Sequence, residues 1–175
     1  MSLPHRAIHS RRGSALVEFA IVLPFLLLIF LGLADACLLL DDQLSLVHLS
    51  REAASVLSRG ADFRQTFDAI TRADGLLDLD GTEGLIILTR IALDKSGTPI
   101  IVQQERRGDL DAASVIGTMS AGTTGVPATI PNNRTMPNNM SLIVVELFSQ
   151  QHHFLGSTGF APGNGTIVLT TLAAF

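Results

Sequence analysis

The fold is decided by residues 14–40, which read SALVEFAIVLPFLLLIFLGLADACLLL. These 27 residues contain only two charged side chains, Glu18 and Asp35. A helix needs about 20 mostly apolar residues to cross the hydrocarbon core of a bilayer, which is about 30 Å thick. The stretch therefore predicts one membrane-spanning helix near the N-terminus.

The residues ahead of this stretch predict its orientation. Residues 1–13 read MSLPHRAIHSRRG and carry Arg6, Arg11 and Arg12 without any acid. Positive charge marks the cytoplasmic flank of a spanning helix. We therefore expect a cytoplasmic N-terminus and an extracytoplasmic body.

Composition and charge exclude several classes of protein. The apolar share of 47% and the charged share of 16% argue against a disordered chain, which would be poor in apolar residues and rich in charge. A net charge of -4 argues against a nucleic-acid partner, whose binding protein would be basic. The single cysteine, Cys37, cannot form an intrachain disulfide.

Three interpretations of the apolar stretch compete. A secretory signal would be cleaved after Ala34-Asp35-Ala36, just before Cys37, but the apolar run exceeds the usual 7–15 residues of such signals. An uncleaved signal anchor is the simplest alternative. The third interpretation is cleavage after Gly13, which would explain why an acid, Glu18, lies in the apolar stretch.

Glu18 is unusual because a carboxylate inside a membrane helix is costly, by about 2.5–3.5 kcal/mol at the centre and less near the end. One explanation is that Glu18 reaches the lipid headgroups. Cleavage after Gly13 offers another, because Ser14 would then carry an ammonium group one helical turn from Glu18. The amine and the carboxylate could neutralise each other within one subunit or between neighbours.

Residues 11–25, RRGSALVEFAIVLPF, resemble the N-terminus of type IV pilin-like proteins, and more narrowly the TadE/TadG-like minor pseudopilins of tight-adherence (type IVc) pili. In that family a basic leader ends in Gly and is removed by prepilin peptidase. Glu and Phe follow at the fifth and sixth mature positions. The resemblance implies cleavage between Gly13 and Ser14, with Glu18 and Phe19 at those two positions.

The most specific part of the resemblance is V-E-F-A-x-V-L-P, which ends at Pro24 and ties Glu18, Phe19 and Pro24 to assembly. Residues 51–54, REAA, resemble the helical continuation of the family, so the resemblance covers about residues 11–60.

The resemblance implies a role in pilus assembly, initiation or surface adhesion. It also implies a location in the bacterial inner membrane with the head in the periplasm, and it allows incorporation into a surface pilus. The implied partners are prepilin peptidase, other pilins and pseudopilins, the inner-membrane assembly platform and the lipid bilayer. The alternative is a membrane-anchored or secreted binding module.

Residues 41–59 continue the helix beyond the membrane. An apolar stripe at helical spacing predicts the face that packs on the head; it comprises Leu46, Leu49, Ala53 and Val56. Gly60 stands where a helix C-cap belongs. We predict a leader over residues 1–13, a transmembrane and stalk helix over 14–60 and a β-rich head over 61–175. Pro24 should kink the helix.

The sequence of the head predicts an α+β fold in which a small antiparallel sheet packs on the long helix. A short helix is expected within residues 61–74, followed by strands over 84–93, 99–105, 140–148 and 166–172. The turn DKSG predicts a hairpin between the first two strands, and residues 117–139 read as a long surface loop. We expect a four-stranded meander with one face hidden by the helix.

No motif predicts catalysis. The sequence contains no G-x-S-x-G, phosphate-binding loop or dinucleotide fingerprint. His152 and His153 would point to opposite faces of a strand, and His48 with Glu52 is more simply an exposed helix face than a pair of metal ligands. We therefore expect neither an enzyme, nor a metal site, nor a cofactor.

Overall fold

A computed structural model describes residues 11–73, 75, 77–120, 123, 125–130, 136–137, 140–152 and 166–174. Most of the predicted leader and His153 lie outside these residues. The chain divides into two compact units, Met1–Leu38 and Leu39–Phe175, with the boundary inside the first helix.

The first helix, α1, spans Arg11–Ser58 and continues through Pro24. Its end is capped as expected: Gly60 has a φ of 94°, and its N–H donates to the carbonyl of Leu57 at 3.0 Å. The second helix, α2, spans Phe63–Ala73 and lies within the predicted range. The carboxylate of Asp62, just before it, accepts the N–H of Phe63 at 2.8 Å.

Five strands form one antiparallel sheet, which confirms the α+β fold. They are β1 (Gly84–Leu93), β2 (Pro99–Arg107), β3 (Val126–Pro127), β4 (Leu142–His152) and β5 (Thr166–Ala174). The order is β3-β2-β1-β4-β5. The expected meander is therefore wrong, because β1 lies between β2 and β4 rather than at the end of a sequential series. β3 lies inside the predicted loop, since two residues give no periodic pattern.

The hairpin between β1 and β2 turns at the predicted residues. The carboxylate of Asp94 accepts hydrogen bonds from the N–H groups of Ser96 and Thr98, both at 2.8 Å. Gly97 supplies the positive φ of 82°. The hydrogen bond from the Ser96 hydroxyl, supported by these backbone hydrogen bonds, holds the pKa of Asp94 below its usual value.

One face of the sheet packs against the two helices. The shared core includes Leu46, Leu49 and Ala53 from α1 and Phe63 and Phe67 from α2. The strands contribute apolar side chains at alternating positions, Ile86 and Leu88 from β1 and Ile143, Val145 and Leu147 from β4. This face is the one that the sequence predicted to be hidden.

The opposite face is also covered, which corrects the expectation of a single hidden face. Residues 108–120, here named the strap, lie against it. Leu110 and Ala112 pack on Leu85, Ile87 and Phe148. Farther along, Ile116 is fully buried beside Ile91, Ile101 and Val144. With cover on both faces, β1 is buried continuously from Gly84 to Thr89.

Candidate assembly helix

The N-terminal half of α1 presents apolar side chains to its surroundings on every side. All residues in 15–31 are exposed, and consecutive ones such as Ile21, Val22 and Leu23 are apolar, so this half has no polar face. A helix that is apolar all round belongs in a buried core or a membrane. Among the described residues, one helix is long and apolar enough to span a membrane, and it is this one.

The length of the apolar segment matches a bilayer. From Phe19 to Leu40 the helix rises about 33 Å at 1.5 Å per residue, close to the hydrocarbon thickness of about 30 Å. Glu18 precedes this segment, and Asp41 and Asp42 follow it. Asp35 lies inside it and is half-buried. The charges therefore bound the segment at both ends, with one acid near its C-terminal end.

The predicted processing site lies in the first turns of α1. The helix begins at Arg11, so the Gly13–Ser14 bond has helical backbone. Glu18 follows Ser14 by four residues, the spacing at which side chains on one helix face are neighbours. A helix that began at Ser14 would place this acid near its positive N-terminal end, where the helix dipole favours a negative charge. Phe19 and Pro24 lie in the same exposed segment.

The predicted packing stripe lies in the second unit. Leu46 is fully buried, Leu49 is 9% exposed and Ala53 is 4% exposed, and all three belong to the core under the sheet. Val56 is half-buried and lines a small groove with Thr66 and Ile70 of α2.

The same core also contains Ala54 and Leu57, which the sequence analysis missed. They widen the stripe by one position on each turn. A helix that packs on a sheet usually has an apolar face wider than a single stripe, and this expectation could have identified both residues from the sequence.

The polar side of the same helix lines an open cleft of about 520 Å³. Asp41, Asp42, His48 and Glu52 face it, together with Leu77 from the segment after α2. In the described part of the chain, no three His, Cys, Asp or Glu side chains are grouped so that they could hold a metal ion. His48 and Glu52 are both exposed on the helix, and both line the cleft.

Glu146 is a buried carboxylate that sequence reasoning did not single out. It lies in β4, is 1% exposed and accepts hydrogen bonds from Ser114 and Val115 of the strap. Its signal was a single acid within the apolar run SLIVVELF.

The comparisons with known proteins address the N-terminal segment. No curated protein and no solved structure matches the chain. One family model matches, that of TadE-like proteins, and the match begins at Gly13 itself. Residues 13–55 therefore match the TadE-like protein family, which confirms the resemblance found in the sequence and connects the chain with the tight-adherence pilus.

Proposed function

We propose that this protein is a minor pseudopilin of a tight-adherence pilus, with a structural rather than a catalytic role. The observation that carries the proposal is an all-round apolar helix of bilayer length within a TadE-like match that starts at Gly13. Prepilin peptidase removes residues 1–13, so that Ser14 becomes the first residue of the mature chain.

Before assembly the protein is held in the inner membrane by α1. The arginines of the leader keep the N-terminus in the cytoplasm. The second unit, which contains the sheet, then lies in the periplasm. This topology presents the head to other pilins and pseudopilins, while the apolar half of α1 stays in the bilayer beside the assembly platform.

Assembly transfers the exposed half of α1 from lipid to the helices of other subunits. Apolar side chains such as Leu27 and Phe30 pack equally well in either environment, but a carboxylate that leaves the membrane edge needs a partner. The amine of Ser14 on a neighbouring subunit supplies it. Glu18 therefore sets the axial position at which one subunit joins another.

The test is a pair of variants that each remove one carboxylate charge with little change in shape. Glu18→Gln is expected to insert and to be processed, but to be lost from sheared pilus fractions by about tenfold or more, because a buried charge pair that loses one partner is destabilised by about 3–5 kcal/mol. Asp80→Asn, at an exposed residue before β1, is the control and should assemble normally.

Immunoblots of membrane and pilus fractions measure both variants. Normal incorporation of Glu18→Gln would contradict the proposed role of Glu18. If the wild-type protein itself never appears in pilus fractions or with other pilus subunits, the binding-module alternative replaces the pilus proposal.

A further inference from the structure

The outer face of the sheet carries one carboxyl group in apolar surroundings. Val144, Glu146 and Phe148 point to this face because side chains alternate along a strand. Val144 belongs to the apolar cluster around Ile116, and Phe148 belongs to the cluster around Leu110. Glu146 therefore lies between two apolar clusters, both of which are covered by the strap.

The strap supplies both hydrogen-bond donors to this carboxyl group. The hydroxyl of Ser114 donates to Oε2 at 2.6 Å, and the N–H of Val115 donates to Oε1 at 2.8 Å. The hydroxyl oxygen of Ser114 in turn accepts the N–H of Ile116 at 3.2 Å. Glu146 is 1% exposed, and the strap contributes to this cover through Ser114 and Val115.

A second attachment of the strap contains no titratable group. Gln104 of β2 donates from Nε2 to the carbonyl of Gly117 at 2.9 Å and accepts the N–H of Met119 at Oε1 at 2.8 Å.

The strap has further attachments: Arg106 of β2 donates to the carbonyl of Ala112 at 3.3 Å, and the N–H of Leu110 donates to the carbonyl of Gly84 at 3.1 Å. Because arginine stays charged in proteins, Glu146 is the one among these described attachments whose charge changes with pH.

Burial is unfavourable for the ionised form of Glu146. Burial raises its pKa above the usual value of 4.5, and the hydrogen bonds from Ser114 and Val115 offset this only in part. Glu146 also lines an open pocket of about 110 Å³, together with Val115, Phe148, Thr170 and Thr171. On β1 the paired residue is Ile87. Among these described neighbours none is charged or titratable.

The raised pKa of Glu146 determines how the stability of the closed strap changes with pH. The closed state has the raised pKa, whereas an opened strap would return Glu146 to water and to its usual pKa. The closed state therefore binds the proton more tightly. The stabilisation of the closed strap is fully present below the usual pKa and is lost as the pH rises through the raised one.

We propose that the strap is a proton-linked cover: Glu146 takes up a proton when the strap closes over it and releases that proton when residues 112–116 lift away. A rise in pH thus loosens the cover over the outer apolar face, while Gln104 keeps the far end attached. This device goes beyond the pilus proposal and does not depend on it.

Hydrogen exchange on the full-length protein in detergent micelles tests the proposal. After correction for intrinsic rates, the protection of the Val115 and Ile116 amides should fall at least about threefold between about pH 5 and about pH 8. Because a single proton is involved, the opening constant can change by at most about tenfold per pH unit. In Glu146→Gln the protection should be independent of pH. Amides of β1 provide the internal reference.

Equal protection of the wild-type strap at both pH values, or the same fall in Glu146→Gln, would overturn the proposal. Should Glu146→Gln fail to fold, Ser114→Ala keeps the carboxyl group and removes one donor. Its strap should be less protected at both pH values and should still depend on pH. A side-chain titration by NMR that gives Glu146 an ordinary carboxyl pKa would also overturn it.

Discussion

Glu18 and Glu146 are carboxylates in apolar sequence contexts, yet only Glu18 could be recognised from the sequence. Glu18 stands out because the sixteen residues after it carry no charge. Glu146 lies in a strand where alternating polar residues are ordinary. Its burial depends on the strap, and no local pattern predicts that residues 114 and 115 reach β4.

Gly108 is a residue at which backbone geometry allows a stability prediction. Its φ is 108°, and a Cβ there would overlap the carbonyl groups of Gly84 and Leu79. Gly97 in the β1–β2 turn also has a positive φ, of 82°, but open space lies around it. Of these two glycines, Gly108 is the one that combines an unfavourable φ for other residues with a close approach of two backbones.

We expect Gly108→Ala to lower the free energy of unfolding by about 1–3 kcal/mol more than Gly97→Ala, because the overlap adds to the conformational cost that both share. Denaturant unfolding of both variants in detergent micelles measures the difference. Equal losses would show that the backbone near Gly84 moves aside without cost.

At the scale of elements, α1 combines two kinds of surface. Its first half is apolar all round, whereas its second half has a buried stripe and a polar face. Both were predictable, because hydropathy and helical periodicity are local properties of the sequence. The strap was not predictable, because its cover depends on scattered contacts, chiefly from Ile116, in a segment without periodicity.

The stripe on α1 gives a matched pair of substitutions. Leu49 is 9% exposed in the core, and Leu44, one and a half turns earlier, is 58% exposed. Leu49→Asp should destabilise the head by about 3 kcal/mol or more, since it places an unpaired charge among apolar side chains. Leu44→Asp should leave the stability within about 0.5 kcal/mol.

Limited proteolysis of the full-length variants in micelles compares the two. Rapid cleavage within the sheet of Leu49→Asp but not of Leu44→Asp is the expected pattern. Equal resistance of both would mean that the stripe does not stabilise the head.

At the scale of the whole molecule, the second half of α1 belongs to the same compact unit as the sheet, because the unit boundary follows Leu38. A fragment that starts at Asp41 keeps five core residues of this helix, whereas one that starts at Gly60 loses them all: Leu46, Leu49, Ala53, Ala54 and Leu57. Burying a side chain such as leucine stabilises by about 1.5–3 kcal/mol. The longer fragment should therefore resist protease and the shorter one should not. Equal resistance would make the helix only a tether.

The sequence predicted the order of segments in the first 60 residues better than it predicted the arrangement of the head. A basic N-terminal segment, an apolar helix and a packing stripe were visible in order along the sequence. The strand order was not, since the pairing of β1 with β4 joins residues about 60 positions apart and leaves no local pattern.

The mature N-terminus tests the central claim most directly. Intact-mass analysis of the protein purified from membranes of its native host should show a chain that begins at Ser14. Gly13→Val should remain full-length, because the peptidase site is lost, while Gly32→Val, inside the same helix, should be processed like the wild type. A wild-type chain that begins at Cys37, or one that retains residues 1–13, would contradict the pseudopilin account.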